Sequence, residues 1–398
     1  MVIFAVATLL YTVRMGDTLR YPDEVDYLRL ARNLAVTGQY TLDGTTPTAY
    51  RPTAYPLLLG AGLKLGLSVT ALRVANASTL FACMALLYLL VRKTSTVQAN
   101  IAVLLIISYP VLVYTAGTFY PQIPAAALFL SAVFVLFSTP NPRTPRFVFA
   151  GALLGITILM VPTFAFTLLF TPVFFAWRSS CRTWIRTVSA TALGAALILT
   201  PWIARNAHVF GRFVPISTNN GISLLTGNNE HATSNSGVTA DLAQHLSKTT
   251  ALNEIEADAY YRRVAIDFMR THPCKAFILY LAKTGNYYNY HNTLAVQSES
   301  SATRDLIMLI TYGFLLAAAT TRIFLWPRYP LSKLERFTLY LYVLNGFFSA
   351  IFFTRVRFRL PMDILLIVLA SATLAITAHQ IANQKRRTAP PPSLPSHR

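Results

Sequence analysis

Long apolar runs separated by short polar segments pattern the chain from end to end. A membrane-crossing helix needs about 17–25 mostly apolar residues. Ten stretches meet or approach that requirement: 1–13, 69–90, 99–119, 121–137, 147–161, 164–177, 187–202, 305–325, 337–353 and 361–381. Pro162 and Pro172 interrupt 147–177, which is therefore read as two crossings. Stretch 55–67 is apolar but short and carries Lys64, so it is read as interfacial or re-entrant. Two regions are too polar to insert, 14–54 and 203–304. Within the second, Tyr261, Val264, Ala265 and Phe268 share one face of a predicted helix, supported by the i, i+4 pair Asp258 and Arg262. His272-Pro273 should end it. The pattern predicts an all-α polytopic membrane protein of about ten transmembrane helices. Its parts are a membrane core over 1–202, an outer loop domain over 203–304, further membrane helices over 305–381 and a disordered basic tail over 382–398.

Composition agrees: of 398 residues, 54% are hydrophobic and 12% charged, too few charges for a water-soluble globule. The net charge of +19 then reports orientation rather than nucleic-acid binding. Five segments hold basic residues with almost no acid: Arg92 and Lys93; Arg143 and Arg146; Arg178, Arg182 and Arg186; Arg328, Lys333 and Arg336; Lys385, Arg386 and Arg387. They fit the cytoplasmic side of the plasma (inner) membrane, with both termini there too. Thirteen of the fifteen acids fall in 14–54 and 203–305, on the other side. Met1 to Tyr11 lacks a basic leader region, so no cleaved signal peptide is expected. Cys83, Cys181 and Cys274 are too scattered for a disulfide framework or a zinc site.

Candidate chemistry gathers on the acidic side. Asp23 and Glu24 open a predicted helix just past the first run, with Tyr27 one turn on. Either they cap that helix or one is a general base at the membrane surface, its pKa raised by the low dielectric. Arg51 lies between two tyrosines in TAYRPTAYP, either reaching lipid headgroups or contacting a phosphate. Arg205 and Asn206 follow Trp202 at the end of the seventh run. Asn228, in TGNN, is a turn residue or an amide for sugar hydroxyls. Arg355, Arg357 and Arg359 alternate in TRVRFRLPMD, breaking the charge pattern on the outer side. Were that stretch extended, all three would share one face and suit a lipid-borne phosphate. Asp363 is available to pair with one of them.

These motifs, in this order, resemble the bacterial membrane glycosyltransferases of the C-type fold. That group includes the protein O-mannosyltransferases and the lipid A aminoarabinose transferases. The resemblance covers about residues 15–375 and rests most on PWIARNAHVFGRFVPISTNNG. It implies an outer-facing active site that moves a sugar from a polyprenyl-phosphate donor to an acceptor hydroxyl, with inversion. Carried over by position, Asp23 is the catalytic base with Glu24 beside it, and Arg51, Arg205 and Arg357 or Arg359 lie near the donor phosphate. The chain departs from the group in two places. Gln122 stands where many relatives have an acid, and Leu159-Met160-Val161-Pro162 stands where many have Thr-Arg-Pro. One acidic pair is a thin oxygen set for a divalent metal, so a metal is left open and no ligand residues are assigned.

The expected partners are the polyprenyl-phosphate donor, a lipid, glycan or protein acceptor, and membrane lipids. Two other readings use the same residues: a flippase or transporter of lipid-linked glycans, and a glycan polymerase or ligase with a lipid-diphosphate donor. A transporter places ionisable groups at the membrane midplane, whereas here they collect outside the apolar runs.

Overall fold

The computed structural model describes residues 2–237, 240–291 and 301–388. Helices α1 (Val2–Met15), α2 (Pro22–Thr37) and α3 (Ala54–Lys64) come first. Then follow α4 (Val69–Val91), α5 (Thr96–Ile107), α6 (Pro110–Ala116), α7 (Gln122–Phe137), α8 (Thr144–Met160), α9 (Ala165–Ala176) and α10 (Cys181–Phe210). The outer region holds α11 (Asn220–Gly227), α12 (Ala243–Thr249), α13 (Glu254–Thr271) and α14 (Pro273–Tyr287). Last are α15 (Ala302–Phe324), α16 (Lys333–Ile351) and α17 (Val356–Thr388). Among the described residues the only β pairing is one bridge, Thr41 with Pro47.

The starts are written locally. Ser68, Ser95, Ser180, Ser301 and Ser332 each accept a backbone N–H of the helix that follows, relieving an otherwise unpaired donor. Pro110 removes one backbone donor and bends α5 against α6 by 64°.

Among the described residues, four helices are long and apolar enough to cross a bilayer: α4, α10, α15 and most of α17. The bent α5–α6 pair makes a fifth, and α1, α7, α8 and the segment containing α9 are apolar but shorter. An apolar helix thus stands at nearly every expected span, while length alone supports four or five crossings rather than ten. Rows of exposed apolar side chains, such as Val6, Leu10 and Val13 on α1 or Leu306, Leu309 and Ile310 on α15, suit lipid rather than water. The chain is a multi-pass membrane protein.

Helix α17 is the hub. It packs against α4, α5, α7, α15 and α16, and Leu360 to Ala372 are buried without a break. It runs on to Thr388, past the expected start of the tail at 382; residues 389–398 lie outside the described part. On the far side α8 and α10 touch backbone to backbone. A Cβ at Gly194 would come within 1.8 Å of the Val148 carbonyl, so only glycine permits this approach, a common device between membrane helices.

The outer helices form a satellite. Helix α13 covers the predicted 258–268 stretch and stops at Thr271, before His272-Pro273. It packs mainly on α11, with Leu225, Leu242, Tyr261 and Ala265 forming a small core of their own. Helix α3, at about 16 Å, is too short to cross and lies against α2.

Candidate functional site

The first turn of α2 splits the Asp23-Glu24 pair. Successive helical residues point about 100° apart, so the two carboxylates face different surroundings. Glu24 is fully buried. One oxygen accepts the N–H groups of Arg20 and Tyr21, at 2.8 and 3.2 Å. The other accepts the Phe119 N–H at 2.7 Å and faces Arg73 at 3.4 Å. Arg73 in turn binds the carbonyls of Gly16, Thr18 and Gly117. With its oxygens engaged and no route to solvent, Glu24 is a lock between α2, α4 and the α6–α7 turn. It therefore does not share the surroundings of Asp23, beside which the catalytic role was expected.

Asp23 faces the other way, into a cluster of guanidinium groups. Arg51 Nη2 donates to its Oδ1 and Arg357 Nη1 to its Oδ2, each at 2.6 Å. Arg51 also binds Asp26 through Nη2 at 2.7 Å and Nε at 3.1 Å. Aromatic rings hold both arginines. Arg51 lies over Tyr27 and Tyr50, at 5.6 and 4.9 Å. Arg357 lies over Tyr120 and Phe358, each at 5.1 Å. Tyr27 is thus buried beneath the cluster rather than presented to a ligand, and burial pushes its hydroxyl up to about 12. Burial opposes ionisation of Asp23, but the charges of Arg357 and Arg51 outweigh it and hold the carboxyl below its ordinary range. The raised pKa expected for this residue is not found, because two guanidiniums already neutralise it.

The three alternating arginines separate. The chain becomes helical at Val356, so no shared extended face exists. Arg359 points into the bundle, where its Nε binds both oxygens of Asp363, at 3.0 and 3.1 Å. Its Nη1 binds the carbonyls of Tyr287 and Asn289, and Tyr312 lies 3.5 Å below. Tyr109 and Tyr342 donate to Asp363 from the other side. Arg359 is therefore a buried strut, away from the cluster around Asp23 where a phosphate contact was expected. Arg355 precedes the helix, and its Nη1 is buried with no hydrogen-bond partner among the described residues. Burial and the neighbouring Arg357 pull its guanidinium down to about 10, still charged at neutral pH.

Arg205 stands apart from Asp23. It donates to the Thr48 carbonyl at 2.8 Å and to Asn206 at 3.0 Å, and lies over Trp202 and Phe210. Glu254 of α13 takes the Thr48 hydroxyl and the Ala49 N–H, at 2.6 and 2.7 Å. The Tyr40 hydroxyl donates to the Arg51 carbonyl. Arg205 therefore pins the loop that carries Arg51. Asn206 is buried and donates to the Val214 carbonyl, holding the turn after α10. Asn228 is likewise turned inward, bonding the carbonyls of Leu224 and Ile351.

One residue was not foreseen. Lys283 of α14 is fully buried, and its Nζ donates to the Gly227 and Phe352 carbonyls and to Asn228 Oδ1, at 2.8, 2.9 and 3.0 Å. Burial lowers its ammonium to about 8. It ties α11 to the turn that delivers Arg355 and Arg357. A Cβ at Gly227 would come within 1.7 Å of the Phe352 carbonyl, so the tie needs glycine as well. The signal was present: Leu279, Lys283 and Tyr287 recur every four residues on one buried stripe.

Among the described residues no three His, Cys, Asp or Glu side chains gather. Asp23 and Asp26 already hold guanidiniums, so the set does not suit a divalent ion. A shallow cavity of about 430 Å³ opens beside the cluster, lined by Arg20, Tyr21, Pro22, Val25, Asp26 and Arg29 among others.

No protein-family model and no curated protein sequence matches the chain. Solved structures do. The archaeal oligosaccharyltransferase AglB from Archaeoglobus fulgidus, in complex with an inhibitory peptide and a dolichol-phosphate, superposes with a TM-score of 0.52 at 13% identity. The match covers 99% of this chain and 52% of that one. ArnT from Cupriavidus metallidurans, bound to undecaprenyl phosphate, matches at a TM-score of 0.46 and 13% identity over 98% of this chain and 81% of its own. Its apo state gives 0.43 at 12%. The AglB match shows that the chain shares the C-type fold, the architecture its motifs resemble.

Proposed function

We propose that this protein is a membrane glycosyltransferase that moves a sugar from a polyprenyl-phosphate donor to an acceptor hydroxyl on the acidic, outer side. The observation that carries the reading is the contact of Asp23 with Arg51 and Arg357. The second of these lies 334 positions away in sequence, yet meets the carboxylate at the end of an apolar bundle. The AglB structure adds that a protein of this fold binds a dolichol-phosphate.

In this reading the donor phosphate enters among Arg51, Arg357 and Arg355. Guanidinium groups fork hydrogen bonds to phosphate oxygens and keep their charge when half-buried. The phosphate competes with Asp23 for the same N–H groups. Once Arg51 and Arg357 turn to it, the burial that opposes ionisation is no longer outweighed and Asp23 becomes a stronger base. Asp23 then takes the proton of the acceptor hydroxyl. The acceptor oxygen bonds to the anomeric carbon from the face opposite the phosphate. The carbon–oxygen bond to phosphate breaks, its electron pair leaving on the polyprenyl phosphate, and the configuration inverts. The arginines hold the charge that develops there, so no general acid is needed.

The test is sugar transfer from a labelled polyprenyl-phosphate donor by membrane-embedded protein. Release of polyprenyl phosphate together with a glycosylated acceptor is expected. Movement of intact donor across the membrane without release would favour a flippase instead. Undiminished transfer by Asp23→Asn would remove this residue as the base.

A further inference from the structure

A second basic site lies at the other end of the bundle. Helices α4, α7 and α16 each run from the Asp23 neighbourhood to it. Helix α4 starts near Arg73, α7 just after Tyr120, and α16 ends before Arg355; their opposite ends carry Lys93, Phe137 and Lys333. The 16 residues of α7 alone set the two ends roughly 24 Å apart.

At that far end is a cavity of about 350 Å³, lined by Lys93, Phe137, Ser138, Thr139, Phe175 and Lys333 with a neighbouring proline. Its floor is aromatic: Phe137 meets Phe175 at 5.0 Å and Phe337 at 5.3 Å. Both lysines lay their stems on rings, with Lys333 Nζ 4.6 Å from Phe175 and Lys93 Nζ 5.4 Å from Phe134. Lys93 spends one N–H on the Phe137 carbonyl at 3.1 Å. Among the described residues neither lysine has a carboxylate partner. The nearby acid, Glu335, is taken by Arg322 at 2.6 Å. The Thr139 hydroxyl oxygen is buried with no hydrogen-bond partner among the described residues. Arg146 stands behind the wall, bonded to Ser138. Such a pocket presents free cationic and hydroxyl donors over an apolar floor, with no anion of its own.

Tryptophan sets the depth. Trp177, Trp184 and Trp326 are exposed beside the basic segments at this end, and exposed Trp marks the boundary between hydrocarbon and headgroups. A ligand at that level is a membrane lipid with its tails among the helices and its headgroup over the lysines. We propose that this cavity binds the phosphate of an anionic phospholipid, independently of the site around Asp23.

The test uses full-length protein in nanodiscs of phosphatidylcholine alone or with phosphatidylglycerol, reading bound lipid by native mass spectrometry and Tm. Phosphatidylglycerol should be retained and raise Tm. Replacing both lysines by alanine (Lys93→Ala with Lys333→Ala) should weaken retention about tenfold or more, as losing charge-assisted hydrogen bonds would. It should abolish the rise in Tm while leaving Tm in phosphatidylcholine unchanged. Lys93→Arg with Lys333→Arg, which keeps charge, should retain the lipid; should the alanine pair not fold, Thr139→Val gives a milder version of the same loss. Arg143→Gln with Arg182→Gln removes two exposed charges at the same end and should have little effect. Equal loss in that pair would reduce the site to diffuse attraction and overturn it. So would unchanged retention in the alanine pair, or an equal rise in Tm from inorganic phosphate in phosphatidylcholine discs.

Discussion

Arg357 and Arg359 are two residues apart, in one helix, and meet opposite fates. Arg357 holds Asp23 at the bundle's outer end, with its side chain 34% exposed; Arg359 holds Asp363 where both side chains are fully buried. The cause is angular. Two helical steps turn a side chain by about 200°, so one guanidinium looks out of the bundle and the other in. The outer pair can trade its carboxylate for an incoming anion at modest cost, because water and the ligand replace what is lost. The inner pair has no substitute partner. A charge that can be exchanged suits binding and chemistry, and one that cannot suits architecture.

That contrast can be broken experimentally. The largest effect expected is on transfer: Asp23→Asn should slow it by about 10²–10⁴-fold, the range for loss of a general base. The variant should still fold, as a thermal-melt comparison will show. Next, Arg359→Ala should cost on the order of 3–5 kcal/mol of stability, since it strands a buried carboxylate. Replacing Arg359 by Met and Asp363 by Leu together should recover much of that. A melt of Arg359→Ala matching the wild type would end the distinction between the two arginines. Smaller again, Arg357→Ala should weaken donor binding by roughly 1.5–3 kcal/mol, the worth of a hydrogen bond to a charged group, measured with a labelled polyprenyl phosphate. Titration of Arg359 variants that still fold should show no such loss.

The smallest effect is one of pH. The Asp23 carboxyl lies below its ordinary range in the folded protein, so its pairs stabilise fully above the unfolded value of about 3.9. That contribution is lost as pH falls through the folded pKa. The stability difference between wild type and Asp23→Asn should therefore stay constant from about pH 5 to 8 and shrink below about 4. A difference that vanished near neutrality would mean the guanidiniums do not hold Asp23 in solution.

Much of the fold was legible. Apolar runs foretold nearly every membrane helix, because burial in lipid demands the same composition wherever a helix crosses. Pro162 was read correctly as a break, with Val161 extended before it, whereas Pro172, read the same way, lies inside α9. Span number was less legible, since α1, α7 and α8 are short and composition does not say whether a short helix crosses or abuts a neighbour. In the outer region, the stripe through Tyr261 and Phe268 marked α13, while its partner α11 had no comparable signal.

The candidate site was legible as a set of residue types, not as a set of roles. Asp23, Arg51 and Arg357 do come together. Glu24, one residue from Asp23, is sealed against Arg73, and Arg205 holds a loop rather than joining the cluster. No local pattern separates these cases, because each role depends on what a distant segment presents. Lys283 shows the converse, a helix-face signal passed over because a lysine among apolar residues reads as surface.

By itself the sequence determined the membrane class, the helices and the side on which acids and unusual arginines gather, since these follow from local hydrophobicity, proline positions and charge. Only the tertiary structure decided which carboxylate meets the partly exposed guanidiniums and which is sealed, and which arginine is fully buried with its partner. Those outcomes rest on the rotation of helix faces and on contacts closed across hundreds of residues, where burial decides whether a charge can be exchanged.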